Sequence, residues 1–364
     1  MSHTATDAFW HVLSLTDPHA QDVPDIRGLA RNGRHLRASL DLASANGLAY
    51  AFLERLTATD VPLPAEARRR REEEARAAAR FRATVSALND ASRATGVGYA
   101  VIKACAAVEH VPRDIDIFLA GEGREAFLAD LERRGFRSAY RDEAEIALAA
   151  DGFLRTDVYS RIHYLGRDFV NGGSLLGSAC PGLNLGAKFP TLGDEAAYLV
   201  NSAHGIFGHA ALSLLDFFSF NDLDRRIGGS SRVRGIAVEL GWGQVLDRWT
   251  GRLDALRDAV YGKRIPVTFP ARHGRMFVLD CVAALDAPRL DPRDAAALRL
   301  SLVWDDLLFA SERTGLDGVV RGSRTLAGIA NAAGHRLRMM RGDRKGLYAD
   351  TDKRRWERSQ NPMR

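Results

Sequence analysis

The sequence predicts an α+β fold in which a small mixed β-sheet domain lies between N- and C-terminal helical regions. Three observations carry that expectation. Apolar residues recur at helical spacing before residue 95 and again after residue 191. Between them, at Gly96-Val97-Gly98, the pattern changes to short β-rich runs. One of those runs, Arg113-Asp114-Ile115-Asp116-Ile117-Phe118-Leu119, alternates acidic and apolar residues with the period of a strand. The expected divisions are a helical region over residues 1–95, an α+β domain over 96–190, a helical domain over 191–335 and a basic tail over 336–364.

The elements follow in chain order. Leu40, Leu42, Ala43, Leu48, Ala51, Phe52 and Leu56 recur at three- and four-residue steps, and Val61-Pro62-Leu63-Pro64 ends the pattern. Residues 65–95 are rich in Ala, Arg and Glu, strong helix formers, with Phe81, Val85 and Leu88 on one face. The arginines at 68–71 followed by the glutamates at 72–74 read as a solvated face with i,i+4 ion pairs, not as a nucleic-acid site. A first strand runs through Tyr99-Ala100-Val101-Ile102-Lys103. A compact connection ending at Pro112 leads to the second strand, Asp114 to Leu119. Residues 124–134 form an amphipathic helix with Phe127, Leu128 and Leu131 inward and Gly135 as its stop. A third β region covers residues 145–149 and 153–164, turned by Asp151-Gly152. Residues 196–220 are helical in pattern, Gly228-Gly229-Ser230-Ser231 reads as a loop, and further helices are expected at 232–260, 276–286, 293–313 and 324–341. Ile265-Pro266-Val267-Thr268-Phe269-Pro270 reads as an extended connection.

Composition narrows the class. The chain has 364 residues, 46% hydrophobic and 27% charged, ordinary for a globular protein with a sizeable core. No apolar run approaches the roughly 18 residues of a membrane span. Residues 1–22 lack the basic-then-apolar order of a secretory signal. Cys105, Cys180 and Cys281 are far apart, give neither a disulfide framework nor a zinc spacing, and fit a reducing, cytoplasmic setting. The net charge is +5, while residues 336–364 hold ten Lys/Arg against four Asp/Glu, so the positive excess is no larger than that of the tail. The tail is a candidate contact for RNA or another polyanion, with a solvated terminus as the plainer reading.

The chemistry centres on the second strand. Asp114 and Asp116 share one strand face, while Ile115, Ile117 and Leu119 share the other. Folding does not require two like charges side by side, whereas a hard divalent cation such as Mg²⁺ takes paired carboxylates as ligands. In residues 154–164 a polar face carries Arg155, Asp157, Tyr159, Arg161 and His163. If this strand sets that face beside Asp114 and Asp116, three carboxylates converge on a Mg²⁺ site able to hold a nucleoside triphosphate. Asp157 is then the third ligand or a general base, and Lys103, Arg155 and Arg161 are candidate phosphate contacts. The corresponding reaction is in-line attack of an acceptor on the α-phosphorus, with pyrophosphate leaving.

The order of these elements resembles the family of uncharacterised bacterial nucleotidyltransferases within the polymerase-β-like superfamily. The shared features are an N-terminal helical region, a strand ending in Lys and small residues, Arg113-Asp114-Ile115-Asp116, an amphipathic helix and a third acidic strand. The resemblance spans roughly residues 35–260, including Leu192-Gly193-Asp194-Glu195, His204, His209 and Asp216-Phe217. It implies a nucleotidyltransferase fold over 96–190 and Mg²⁺-dependent transfer of a nucleoside monophosphate from an NTP such as ATP. The acceptor stays open among a small molecule, a peptide or protein, and tRNA. The superfamily places Gly-Gly or Gly-Ser after the first strand, where backbone approaches the triphosphate. This chain has Ala104-Cys105 there, which adds a Cβ and a poorer hydrogen-bond donor.

Other classes fit less well. A haloacid-dehalogenase phosphatase also ends a strand in Asp-x-Asp, but Phe118 stands where it normally has Thr or Val, and no doubly wound pattern follows. A nucleotide-sugar glycosyltransferase needs a larger parallel sheet. The stronger rival is a catalytically degenerate nucleotidyltransferase fold that binds RNA or a protein partner, which Ala104-Cys105 favours and the three acids oppose. His204 and His209, five residues apart, do not share a helical face and read as core or surface histidines. Cys180 has no evident partner, and Phe217-Phe218-Ser219-Phe220 reads as core packing.

Overall fold

A computed structural model of the protein describes residues 3–18, 26–58, 62–103, 107–119, 121–141, 145–164, 167–171, 175–209, 213–262, 275–278 and 281–284. Four helices open the chain: α1 (His3–Thr16), α2 (Ile26–Arg31), α3 (Gly33–Ala45) and α4 (Ala49–Thr57). Helix α5 (Ala65–Thr95) follows and stops at Gly96, whose φ of +70° gives the left-handed cap that glycine adopts without a Cβ penalty.

The strands are β1 (Tyr99–Ile102), β2 (Asp114–Leu119), β3 (Arg137–Arg141), β4 (Glu145–Ala149), β5 (Arg155–Tyr159), β6 (Arg161–Tyr164), β7 (Arg167–Asn171), β8 (Cys180–Asn184) and β9 (Ala187–Thr191), with α6 (Arg124–Arg133) between β2 and β3. Seven of them form one mixed sheet in the order β3-β4-β5-β2-β1-β9-β8, while β6 and β7 pair separately. Strand β2 lies near the centre, antiparallel to β1 and parallel to β5. The fold is therefore α+β with a mixed sheet, as the sequence predicts.

The two faces of the sheet meet different cores. Tyr99, Val101, Ile115, Ile117, Leu119, Ile146 and Val158 pack with Phe81, Val85 and Leu88 of α5 and Phe127 and Leu131 of α6. Side-chain hydrogen bonds fix α5 to this face. Thr84 Oγ1 accepts from Leu154 N at 2.9 Å, and Asn89 Nδ2 donates to Lys188 O at 2.9 Å. On the opposite face, Ala100, Ile102 and Phe118 join a second core that holds helices from both ends of the chain. Those at the far end are α7 (Asp194–Ala203), a π-helical turn (His204–His209), α8 (Leu214–Ile227), α9 (Ser231–Glu239) and α10 (Gly243–Tyr261). Asn46 ties the two ends together: its Nδ2 donates to Leu42 O at 2.9 Å and its Oδ1 accepts from Leu214 N at 3.0 Å. No helix among the described residues is long and apolar enough to cross a membrane.

Several expectations are corrected. The single strand expected over 153–164 breaks at Ser160, and β6 leaves the main sheet. The helix expected at 196–220 is interrupted, and α8 restarts from a Ser213/Asp216 capping box. The helix expected at 232–260 divides at Gly241, where φ is +76°. The helix expected at 276–286 is replaced by strands β10 (Arg275–Val278) and β11 (Cys281–Ala284), whose Phe277, Val278 and Val282 favour strand. The connection at 265–270, the helices expected at 293–313 and 324–341, and the basic tail lie outside the described residues.

Candidate active site

Strand register builds the site. In the parallel pair β2/β5, Asp114 is opposite Arg155 and Asp116 is opposite Asp157. Register partners point to the same sheet face, so all four side chains share one side, opposite α5 and α6. Asp116 and Asp157 are 6% and 3% exposed, so neither carboxylate is a solvated edge residue. Strand β4 adds a fourth acid: Glu145 is the partner of Tyr159, which places it on the same face.

Two cations answer these acids. Arg155, only 7% exposed, donates from Nε to Asp157 Oδ1 at 2.7 Å, and its Nη2 lies 3.6 Å from Glu145 Oε1. Lys103 follows β1, whose last residue, Ile102, pairs with Asp116, and its ammonium forms an ion pair with the Asp116 carboxylate. The backbone at Lys103 is left-handed, with φ of +66°, a conformation that costs a non-glycine residue energy and persists only when its surroundings enforce it.

Burial dominates the electrostatics. It pushes the Asp157 carboxyl up to about 7, Arg155 opposes the shift, and the charges of Asp116, Asp114 and Glu145 add to it. Burial likewise raises Asp116, against the opposing charge of Lys103 and with the help of Asp114. Burial and the neighbouring like charges thus disfavour the ionised form of both carboxyls, and positive charge beside them offsets that cost.

Among the described residues, no three His, Cys, Asp or Glu side chains stand in a metal-ligating cluster, and Asp116 and Asp157 are ion-paired with Lys103 and Arg155. The donor set nonetheless fits a hard divalent ion. It offers carboxylate oxygens from neighbouring in-register positions, and it has buried like charges that such an ion relieves. Asp114, Asp116 and Asp157 are the residues that would hold it.

Sequence reasoning placed some residues and missed others. Arg161 was expected on the face of Arg155 and Asp157. It lies instead on β6, opposite Asn171 in the separate two-stranded sheet, because the strand breaks at Ser160. Ala104 and Cys105 lie outside the described residues. Glu145 was missed because the register of a hairpin across Asp151-Gly152 is invisible in one sequence. His204 was missed as well: its ring lies 3.2 Å (Nε2) and 3.5 Å (Nδ1) from Lys103 Nζ. Beside Lys103 there is a cavity of about 90 Å³, lined by Ile102, Cys180, Thr191, Asn201 and Arg226 among others. It is smaller than the roughly 300–1,000 Å³ of a pocket for a drug-sized ligand.

Protein-family models give no match to the chain, and neither do curated proteins. Two solved structures of ANT(2'')-Ia are similar to part of it. One is a crystal structure in complex with adenylyl-2''-tobramycin, at 14% identity and a TM-score of 0.34, covering 43% of this chain and 94% of that one. The other is a solution structure of that antibiotic-resistance factor, at 13% identity and a TM-score of 0.34, covering 50% of this chain and 96% of the other. Likeness at this level assigns neither a residue nor a substrate.

Proposed function

We infer that the protein is a Mg²⁺-dependent nucleotidyltransferase that moves a nucleoside monophosphate from an NTP to an acceptor nucleophile. The observation that carries this reading is the in-register pairing of Asp116 with Asp157, which sets three carboxylates on one buried face beside two cations. A metal held by Asp114, Asp116 and Asp157 supplies Lewis-acid stabilisation of phosphate oxygens. The chain's own groups supply the rest. Asp157 is the third ligand or, where Asp114 and Asp116 alone hold the metal, the general base that takes the acceptor's proton. Arg155 orients that carboxylate through its 2.7 Å hydrogen bond. The ammonium of Lys103, at the end of β1, is the candidate contact for triphosphate oxygens.

A second reading has its own observation. The ion pairs Lys103–Asp116 and Arg155–Asp157 already neutralise two of the acids, as they would in a catalytically degenerate fold that binds RNA or a protein partner. A thermal-shift titration with each NTP and Mg²⁺ separates the two. Transfer predicts a clear rise in melting temperature with at least one NTP, requiring Mg²⁺ and lost in the Asp114→Asn/Asp116→Asn variant. No rise with any NTP in the folded protein favours the binding module.

A further inference from the structure

Four acids share one face of the sheet with Arg155, and the strand register sets which of them the guanidinium should meet. Asp114 is the direct partner of Arg155 between β2 and β5, one strand spacing of about 4.8 Å away. Glu145 is the partner of Tyr159, four residues further along β5, a distance of about 13 Å at the usual strand rise. Register alone would therefore give the guanidinium to Asp114. The contacts go the other way. Arg155 Nε donates to Asp157 Oδ1 at 2.7 Å, and Nη2 lies 3.6 Å from Glu145 Oε1. The side chain thus runs along β5, past Asp157 and toward β4, away from β2. Among the described residues, the Asp114 carboxylate forms neither a hydrogen bond nor an ion pair, while Asp116 has Lys103 and Asp157 has Arg155.

We propose that Glu145 is a positioning residue that draws the Arg155 guanidinium along β5 and so leaves the Asp114 carboxylate to the divalent cation. A guanidinium is always charged and grips a carboxylate by two parallel donors. Seated on Asp114, it would cover the oxygens that a cation needs and would repel the ion. The guanidinium feels the charges of Asp157, Asp114 and Glu145 together, so its seat depends on the side from which each acid pulls. Glu145 pulls from β4 and Asp114 from β2, with Asp157 on β5 between them. Arg155 and Glu145 make further interactions as well, so Glu145 is one hold among several, and its loss tips a balance without freeing the side chain. The contacts invoked are those of the structure itself, and none has to form or break when the ion arrives. The inference rests on the nucleotidyltransferase reading for the ion at Asp114, not for the seat of Arg155.

The test pairs Mn²⁺ binding with a crystal structure. Binding is followed by electron paramagnetic resonance on the full chain, with and without NTP, and the Glu145→Gln variant is crystallised without metal. The variants are Glu145→Gln, Arg155→Met and the double variant Glu145→Gln/Arg155→Met, each checked for fold by circular dichroism. Glu145→Gln keeps the shape and removes the charge. It is expected to bind Mn²⁺ about fivefold more weakly than the wild type, the scale of one polar contact. Its crystals are expected to show an Arg155 nitrogen within ion-pair distance, about 4 Å, of Asp114. Arg155→Met has no guanidinium to misplace and binds Mn²⁺ at least as tightly as the wild type. The double variant matches Arg155→Met, because Glu145 acts only through Arg155. An equal loss from Glu145→Gln in both backgrounds means that the glutamate acts on the ion by its own charge, and overturns the proposal. So does a guanidinium that stays away from Asp114 in the Glu145→Gln crystals, or an unchanged Mn²⁺ affinity. Where Arg155→Met does not fold, the crystal structure decides alone. Relocation and weaker Mn²⁺ binding without NTP binding leave the proposal standing and remove the transfer reading. NTP and Mn²⁺ binding with Arg155 unmoved does the reverse, and no Mn²⁺ binding in any variant overturns both.

Discussion

At the scale of single residues, burial of like charges governs the site. The carboxyl of Asp157 is raised to about 7 and that of Asp116 is raised as well, both chiefly by burial, from a usual 3.8. The folded protein thus holds protons that the unfolded chain releases near 3.8, so the stability these groups confer is lost as pH rises through about 7. A divalent ion that replaces those protons reverses the trend. Melting curves from pH 5 to 7.5 are expected to show a falling midpoint without Mg²⁺ that levels off above about 7, and a Mg²⁺ stabilisation that grows over the same range. His110 acts in the opposite sense at lower pH. It is 3% exposed, and burial lowers it to about 4, against a hydrogen bond to Val108 O. Its contribution is fully present above about 6.5 and is lost as pH falls toward 4. A His110→Phe variant is expected to lose less stability than the wild type between pH 6 and 4, read as the midpoint of denaturant unfolding. The aspartates were legible in the sequence because a strand's period of two separates their face from that of the isoleucines. Glu145 and His204 were not, since each reaches the site through tertiary placement that local spacing does not encode.

At the scale of elements, α5 decides where the acids stand. It grips the start of β5 through Thr84, which is fully buried, donates to Arg80 O at 2.8 Å and accepts from Leu154 N at 2.9 Å. Thr84→Val keeps the shape but leaves the Leu154 N–H buried and unpaired. The expected cost is about 1–3 kcal/mol of unfolding free energy, measured by urea denaturation. Helix α5 was legible because 31 residues of strong helix formers need no tertiary context. Strands β8 and β9 were not, because Pro181, Gly182 and Pro190 argue against strand. The structure accommodates them in an edge hairpin whose turn residues, Leu185 and Gly186, both have positive φ, at 51° and 75°. The break at Ser160 was hidden because the polar/apolar alternation continues through it, and that break removes Arg161 from the β5 register.

At the scale of the whole molecule, the sheet separates two cores, and the acids lie on the side shared by the helices of both chain ends. The fold class was legible because helical and strand periods occupy different stretches of sequence. The sharing of one core by α1 to α4 and α7 to α10 was not, because it depends on contacts such as Asn46 with Leu214, 168 residues apart. This arrangement places His204, from the far end of the chain, against Lys103, from the sheet. The central claim is that Asp114, Asp116 and Asp157 hold a divalent ion in a nucleotide site. The most direct measurement is anomalous diffraction from crystals grown with Mn²⁺ and a non-hydrolysable NTP. The claim predicts a Mn²⁺ peak at those three carboxylates, next to the NTP phosphates. A nucleotide or Mn²⁺ bound elsewhere, with the Lys103–Asp116 and Arg155–Asp157 pairs intact, would contradict it.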